Sequence, residues 1–145
     1  MNKQFVMLSG LPRSGSSVLT SMLNQHPEIH ASTTSPLADF VISTTEQWPV
    51  LSKQVAETPH RQLENIIEGI VDGAYRHIDK PVVIDKNRLW PRIGLVMNYT
   101  MNQRPKIICT VRQIPEILSS YILLFNSRPN QPNFVDEDLK HNNIP

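Results

Sequence analysis

Read for apolar and polar positions, the chain alternates between short unbroken apolar runs and longer amphipathic stripes. Phe5-Val6-Met7-Leu8 is one such run, the pattern of a strand buried on both faces. Val18, Leu19, Met22 and Leu23 then fall on one side of a helix that His26-Pro27 ends. Ile29–Ser32 reads as a second short strand. Pro36 suits the first position of a helix running to about Gln47. Leu63, Ile66, Ile67, Ile70, Val71 and Tyr75 share one face of a predicted helix over Thr58–Ile78. Pro81–Asp85 reads as a strand and Trp90–Asn102 as a helix. Lys106–Val111 is the most strand-like segment, and Ile114–Phe125 reads as a helix with Pro115 in its first turn. Strands and helices in alternation predict an α/β fold, a parallel sheet with helices on both faces.

The pattern stops near residue 126. From Asn126 to Pro145 the chain carries Pro129, Pro132 and Pro145, several asparagines and no apolar periodicity. The expected organisation is one domain over 1–125, followed by a surface tail or a linker into a further part over 126–145. A length of 145 residues suits a single core.

Composition narrows the classes. Hydrophobic residues are 39% and charged residues 19%, ordinary for a folded domain. A formal net charge of +1 gives no general attraction to nucleic acid or to a membrane surface, so any anion site must be local. The one cysteine, Cys109, excludes an internal disulfide and fits a reducing, cytoplasmic setting. Its apolar neighbours Ile107, Ile108 and Val111 predict a buried, inert thiol. Phe5–Leu8 is shorter than the apolar core of about 7–15 residues in a secretion signal. No run approaches the ~20 apolar residues of a membrane span.

Candidate chemistry concentrates between the first strand and the first helix, in Leu8-Ser-Gly-Leu-Pro-Arg-Ser-Gly-Ser-Ser17. A strand, a glycine-containing turn and a helix start together aim backbone N–H groups at an anion. Gly10 and Gly15, separated by four residues, satisfy the opening of the nucleotide-loop pattern G-x-x-x-x-G-K-[ST]. The match then stops, because Ser16 stands where the pattern has lysine and the nearby cation is Arg13. That lysine reaches the β/γ-phosphates of a triphosphate whose Mg²⁺ is held by the next hydroxyl. Without it the loop suits one 5′-phosphate bearing a transferable group, with Arg13 above it. The plainer alternative is a serine-rich turn in which Ser14 or Ser16 caps a helix.

The stretch Gly10-Leu-Pro-Arg-Ser-Gly-Ser-Ser-Val-Leu19 resembles the 5′-phosphosulfate loop of sulfotransferases that use 3′-phosphoadenosine-5′-phosphosulfate (PAPS). It is closest to the Pro-Arg-Ser-Gly branch, which includes tyrosylprotein, carbohydrate and bacterial enzymes, and His26-Pro27 resembles that branch too. The resemblance implies a three-layer fold like that of P-loop nucleotide kinases. It implies a second phosphate site as well, an arginine ending a late strand with a serine eight residues on. Arg112 and Ser120 stand at that spacing. The family's Arg-Asp-Pro is here Arg112-Gln113-Ile114-Pro115. Val83-Ile-Asp-Lys-Asn-Arg88 resembles the family's Lys-x-Pro-Arg segment, which places Lys86 toward the sulfuryl group or the acceptor.

By this resemblance Pro12, Arg13, Ser14, Gly15, Ser16 and Ser17 hold the 5′-phosphosulfate, and Arg112 and Ser120 hold the 3′-phosphate. PAPS is the donor, 3′,5′-adenosine bisphosphate the product, and no metal is required. The partner is a small-molecule, carbohydrate or peptide acceptor carrying a hydroxyl or amine, and neither nucleic acid nor membrane is expected. The branch's general-base glutamate, shortly after His-Pro, is missing from Ala31-Ser-Thr-Thr-Ser35. Candidates to replace it are His30, Asp39, Glu46 and Asp85, with Asp85 or His30 preferred. Trp48, Trp90 and Tyr99 are candidate aromatics for the acceptor pocket. A non-catalytic nucleotide-binding domain and a P-loop kinase remain the alternatives.

Overall fold

The computed structural model describes residues 3–52, 60–100 and 106–127. They form β1 (Gln4–Gly10), α1 (Ser16–Leu23), β2 (Ile29–Ala31), α2 (Leu37–Ser52), α3 (His60–Tyr75), β3 (Val82–Lys86), α4 (Trp90–Thr100), β4 (Lys106–Thr110) and α5 (Ile114–Ser127). The chain falls into two compact units, 1–112 and 113–145. The first holds a four-stranded sheet in the order β2-β3-β1-β4, with all pairings parallel. Parallel pairing sends every strand's C-terminal end to one edge, where ligands of open α/β sheets bind.

β1 lies between β3 and β4, which explains why it reads as an unbroken apolar run. On one face Phe5, Met7 and Val83 pack against Leu37 and Val41 of α2, Ile67 and Val71 of α3, and Trp90, Ile93 and Met97 of α4. On the other, Val6, Leu8, Ala31 and Ile84 pack with Leu19 and Leu23 of α1. Taking one such side chain out of water contributes about 1.5–3 kcal/mol, so these two apolar layers are what hold the site-bearing strand ends in place. Asn24 at the end of α1 pins β2, donating from Nδ2 to the Ala31 carbonyl (2.8 Å) and accepting the Ala31 N–H at Oδ1 (2.9 Å).

Two expectations are corrected. Cys109 is exposed, not buried. Among the described residues β4 pairs with β1 alone, and its Ile107 and Ile108 are likewise exposed. The second correction concerns α2, which continues past Gln47 and through Pro49 to Ser52. In the second unit α5 runs to Ser127, with the Gln113 carbonyl accepting the N–H groups of Glu116 and Ile117 at its start (both 3.1 Å). The rest of the expected tail, 128–145, lies outside the described residues, as do 101 and 102 at the expected end of α4. No described helix is long and apolar enough to cross a membrane.

Candidate functional site

The loop between β1 and α1 is built on two residues whose backbone only glycine adopts easily. Gly10 has φ 146°, and a Cβ there would lie 2.1 Å from Thr110 Oγ1 and 2.7 Å from the Thr110 carbonyl oxygen. β4 therefore presses against the start of the loop. Gly15, at φ 96°, is the residue before α1 and supplies no side-chain cap. The first N–H groups of a helix have no partner within it, and here they open onto the loop without a capping hydroxyl from Gly15. This arrangement suits an anion.

Between the glycines, Arg13 adopts a left-handed conformation at φ 67°, unfavourable for a side chain with a Cβ. Ser14 fixes the turn. Its N–H donates to the Leu11 carbonyl (3.1 Å), and its hydroxyl contacts that same oxygen (2.5 Å) and Thr110 Oγ1 (2.7 Å). Ser14 is thereby committed to shaping the loop. Ser16 and Ser17 open α1, and Pro12 stands half-buried before Arg13.

Neighbouring strand ends supply two further cations. Arg112, just past β4, donates from Nη1 to the Arg13 carbonyl (3.1 Å). Lys86, the last residue of β3, donates from Nζ to Ser17 Oγ (2.7 Å). Burial, and then the charge of Arg88, hold the Lys86 ammonium below its usual pKa. Thus Arg13, Lys86 and Arg112 come to one loop from three strand ends. Ser120 lies in α5, within the second unit.

The candidate bases separate clearly. Asp85 is fully buried, accepting from Tyr75 Oη and from Trp90 Nε1 (2.8 Å). Burial pushes its carboxyl above the usual range, against the pull of hydrogen bonds from Ser35, Tyr75 and Trp90. Its position is that of a structural carboxylate tying β3 to α3 and α4. His30 is half-buried on β2, its ring centroid 5.7 Å from that of Tyr75. Burial, then the charges of Lys80 and His77, lower its pKa, while Asp85 opposes them. Glu46 is occupied by Arg92 at 2.7 Å. Asp39, in the first turn of α2, is exposed and accepts at Oδ2 from Asn87 Nδ2 (2.8 Å).

Of the candidate aromatics, Trp90 belongs to the core, Trp48 is half-buried on α2, and the Tyr99 side chain lies outside the described residues. Sequence reasoning missed Ser32, Ser35 and Asn87, which organise the strand ends. Ser32 Oγ accepts the Lys86 N–H (2.9 Å), and Asn87 Nδ2 donates to the Ser35 carbonyl (2.7 Å). Their signal was present as small polar residues straight after β2 and β3. Among the described residues, no cluster of three or more potential metal ligands occurs.

Compared with known proteins, the chain matches the sulfotransferase family over residues 6–143, nearly its whole length. A search of curated proteins returns no match.

Proposed function

The chain belongs to the sulfotransferase family, and from that premise we propose that it moves a sulfuryl group from PAPS to a hydroxyl or amine acceptor. The observation that carries the reading is the hydrogen bond from Arg112 to the Arg13 carbonyl. It joins two motifs 99 positions apart at one edge of the sheet. In this reading the loop from Pro12 to Ser17 cradles the 5′-phosphate, chiefly through its N–H groups and the Ser16 and Ser17 hydroxyls. Arg112 receives the 3′-phosphate and so discriminates against ATP; Ser120 stands at the family spacing for the same role in sequence.

Transfer requires in-line attack and stabilisation of charge on the departing oxygen. The acceptor oxygen bonds to sulfur as the bond from sulfur to the bridging phosphate oxygen breaks, and the electron pair stays on the phosphate. Arg13 and Lys86 supply positive charge at that oxygen and at the sulfuryl group. A fork-shaped guanidinium donates two bonds to such a centre, whereas the ammonium acts as a point charge. The leaving group is already a stable phosphate anion, so this reading routes no step through a metal. The acceptor is a small molecule, carbohydrate or peptide, and the single cysteine suits a reducing cytoplasm.

Calorimetric titration with 3′,5′-adenosine bisphosphate, alongside ATP with Mg²⁺, tests the proposal. Binding of the bisphosphate in preference to ATP is expected. Arg112→Ala should weaken it about 10- to 100-fold, the loss of a charged hydrogen bond of about 1.5–3 kcal/mol. Preference for ATP, or an Arg112→Ala variant that binds as wild type, overturns it.

A further inference from the structure

We infer that Asp39 is the general base, the group that takes the proton from the acceptor hydroxyl; the inference rests on the sulfuryl-transfer reading. The order β2-β3-β1-β4 gives the edge of the sheet a direction. Arg112 leaves β4 on one side of the phosphate loop, and Lys86 leaves β3 on the other. A nucleotide with its 3′-phosphate toward Arg112 and its 5′-phosphate in the loop directs its sulfuryl end toward β3 and β2. The acceptor therefore approaches from the side where β2 leads into α2, whose first turn carries Asp39.

Hydrogen bonds connect that side to the loop. Lys86 holds Ser17, and the next residue, Asn87, holds Asp39. The Asn87 amide has a fixed orientation because Oδ1 accepts the Leu89 N–H (2.9 Å), which leaves Nδ2 to donate to the Ser35 carbonyl and to Asp39 Oδ2. Among the described residues, Asp39 Oδ1 accepts no hydrogen bond. An exposed carboxylate with one oxygen anchored and the other open is suited to removing a proton. The competing carboxylates are sealed in the core or paired, as Asp85 and Glu46 are. As the oxygen–sulfur bond forms, the hydroxyl proton passes to Oδ1, and Asp39 then releases it to water. Asn87 is a positioning residue.

The test measures bisphosphate release from PAPS by wild type and Asp39→Asn, with water, 2-naphthol or 4-nitrophenol as acceptor. Asparagine retains an oxygen for Asn87 but cannot take a proton. At a pH where 4-nitrophenol is ionised and 2-naphthol is not, Asp39→Asn should lose about 10²- to 10⁴-fold with 2-naphthol. It should lose far less with the phenolate, which has no proton to give. Asp39→Glu should recover part of the loss. Equal losses with both phenols, no loss with either, or a wild type that binds the bisphosphate but turns over no acceptor, overturns the assignment and leaves the donor site standing. Failure of wild type to bind 3′,5′-adenosine bisphosphate overturns the underlying reading instead.

Discussion

Single residues at this site do one of two jobs, and the hydrogen bonds distinguish them. Gly10, Ser14 and Thr110 shape the loop: the missing Cβ admits β4, and the two hydroxyls meet at 2.7 Å. Arg13, Lys86 and Arg112 bring charge to it. Lys86 is the informative one, because its ammonium is already aimed at Ser17 and is partly desolvated. In the proposed reading its charge acts on the sulfuryl group beyond the 5′-phosphate, which 3′,5′-adenosine bisphosphate lacks. Lys86→Met should therefore slow sulfuryl transfer about 10²- to 10³-fold, the usual cost of removing one donor to developing charge. Affinity for the bisphosphate should fall less than about tenfold, being set mainly by Arg112 and the loop N–H groups. Steady-state kinetics beside calorimetry separate the two, and parallel losses would make Lys86 a binding group for the nucleotide alone.

At the scale of elements, the sequence was legible wherever burial on both faces or a clean helical stripe set the pattern. β1, β3 and α3 appear within a few residues of their expected limits, because Phe5–Leu8, Val83, Ile84, Ile67 and Val71 are all core. The turn between β1 and α1 was legible because glycine is required at two of its positions. What could not be read was lateral order. Lys106–Val111 has the composition of a central strand, yet among the described residues β4 pairs with β1 alone and Cys109 is exposed. Nor does local spacing reveal that Asp85 meets Tyr75 and Trp90, or that Asn87 meets Asp39. The length of α2 was missed for a local reason. Proline disfavours helix at and just before its own position, yet α2 continues through Pro49 to Ser52. The Pro49 ring removes the donor that would reach the Thr45 carbonyl, a cost of up to ~3 kcal/mol offset in part by the proline's fixed φ in the unfolded chain. Pro49→Ala should restore that bond and raise stability by about 1 kcal/mol, a rise of about 3 °C in Tm. A lower Tm by scanning calorimetry would mean that the proline's fixed φ is worth more than the bond it removes.

Across the whole sheet-bearing unit, one polar cluster joins elements distant in sequence, and it makes stability depend on pH. Asp85 of β3 is held by Tyr75 of α3 and Trp90 of α4, while His30 of β2 lies against the Tyr75 ring. Burial, then the Asp85 charge and its hydrogen bond, raise the Tyr75 hydroxyl far above its usual pKa, so it remains a donor throughout the physiological range. Asp85 is raised, so folding favours its neutral form. Its contribution is full below the ordinary carboxylate value of 3.8 and declines as pH rises through the folded value. His30 has the opposite sign. Its folded pKa is lowered, so its contribution is full above 6.5 and is lost as pH falls through the folded value, because the unfolded chain takes the proton first. As pH falls below 6.5 the two groups act with opposite sign, so the histidine's share is read by removing it. Relative to its value at pH 7, the urea midpoint of wild type at pH 5 should therefore lie lower than that of His30→Gln. Taking the difference cancels the carboxylates common to both proteins. The comparison thus isolates whether a neutral imidazole is what the β2 end of this cluster requires, and superimposable pH profiles would show that it is not.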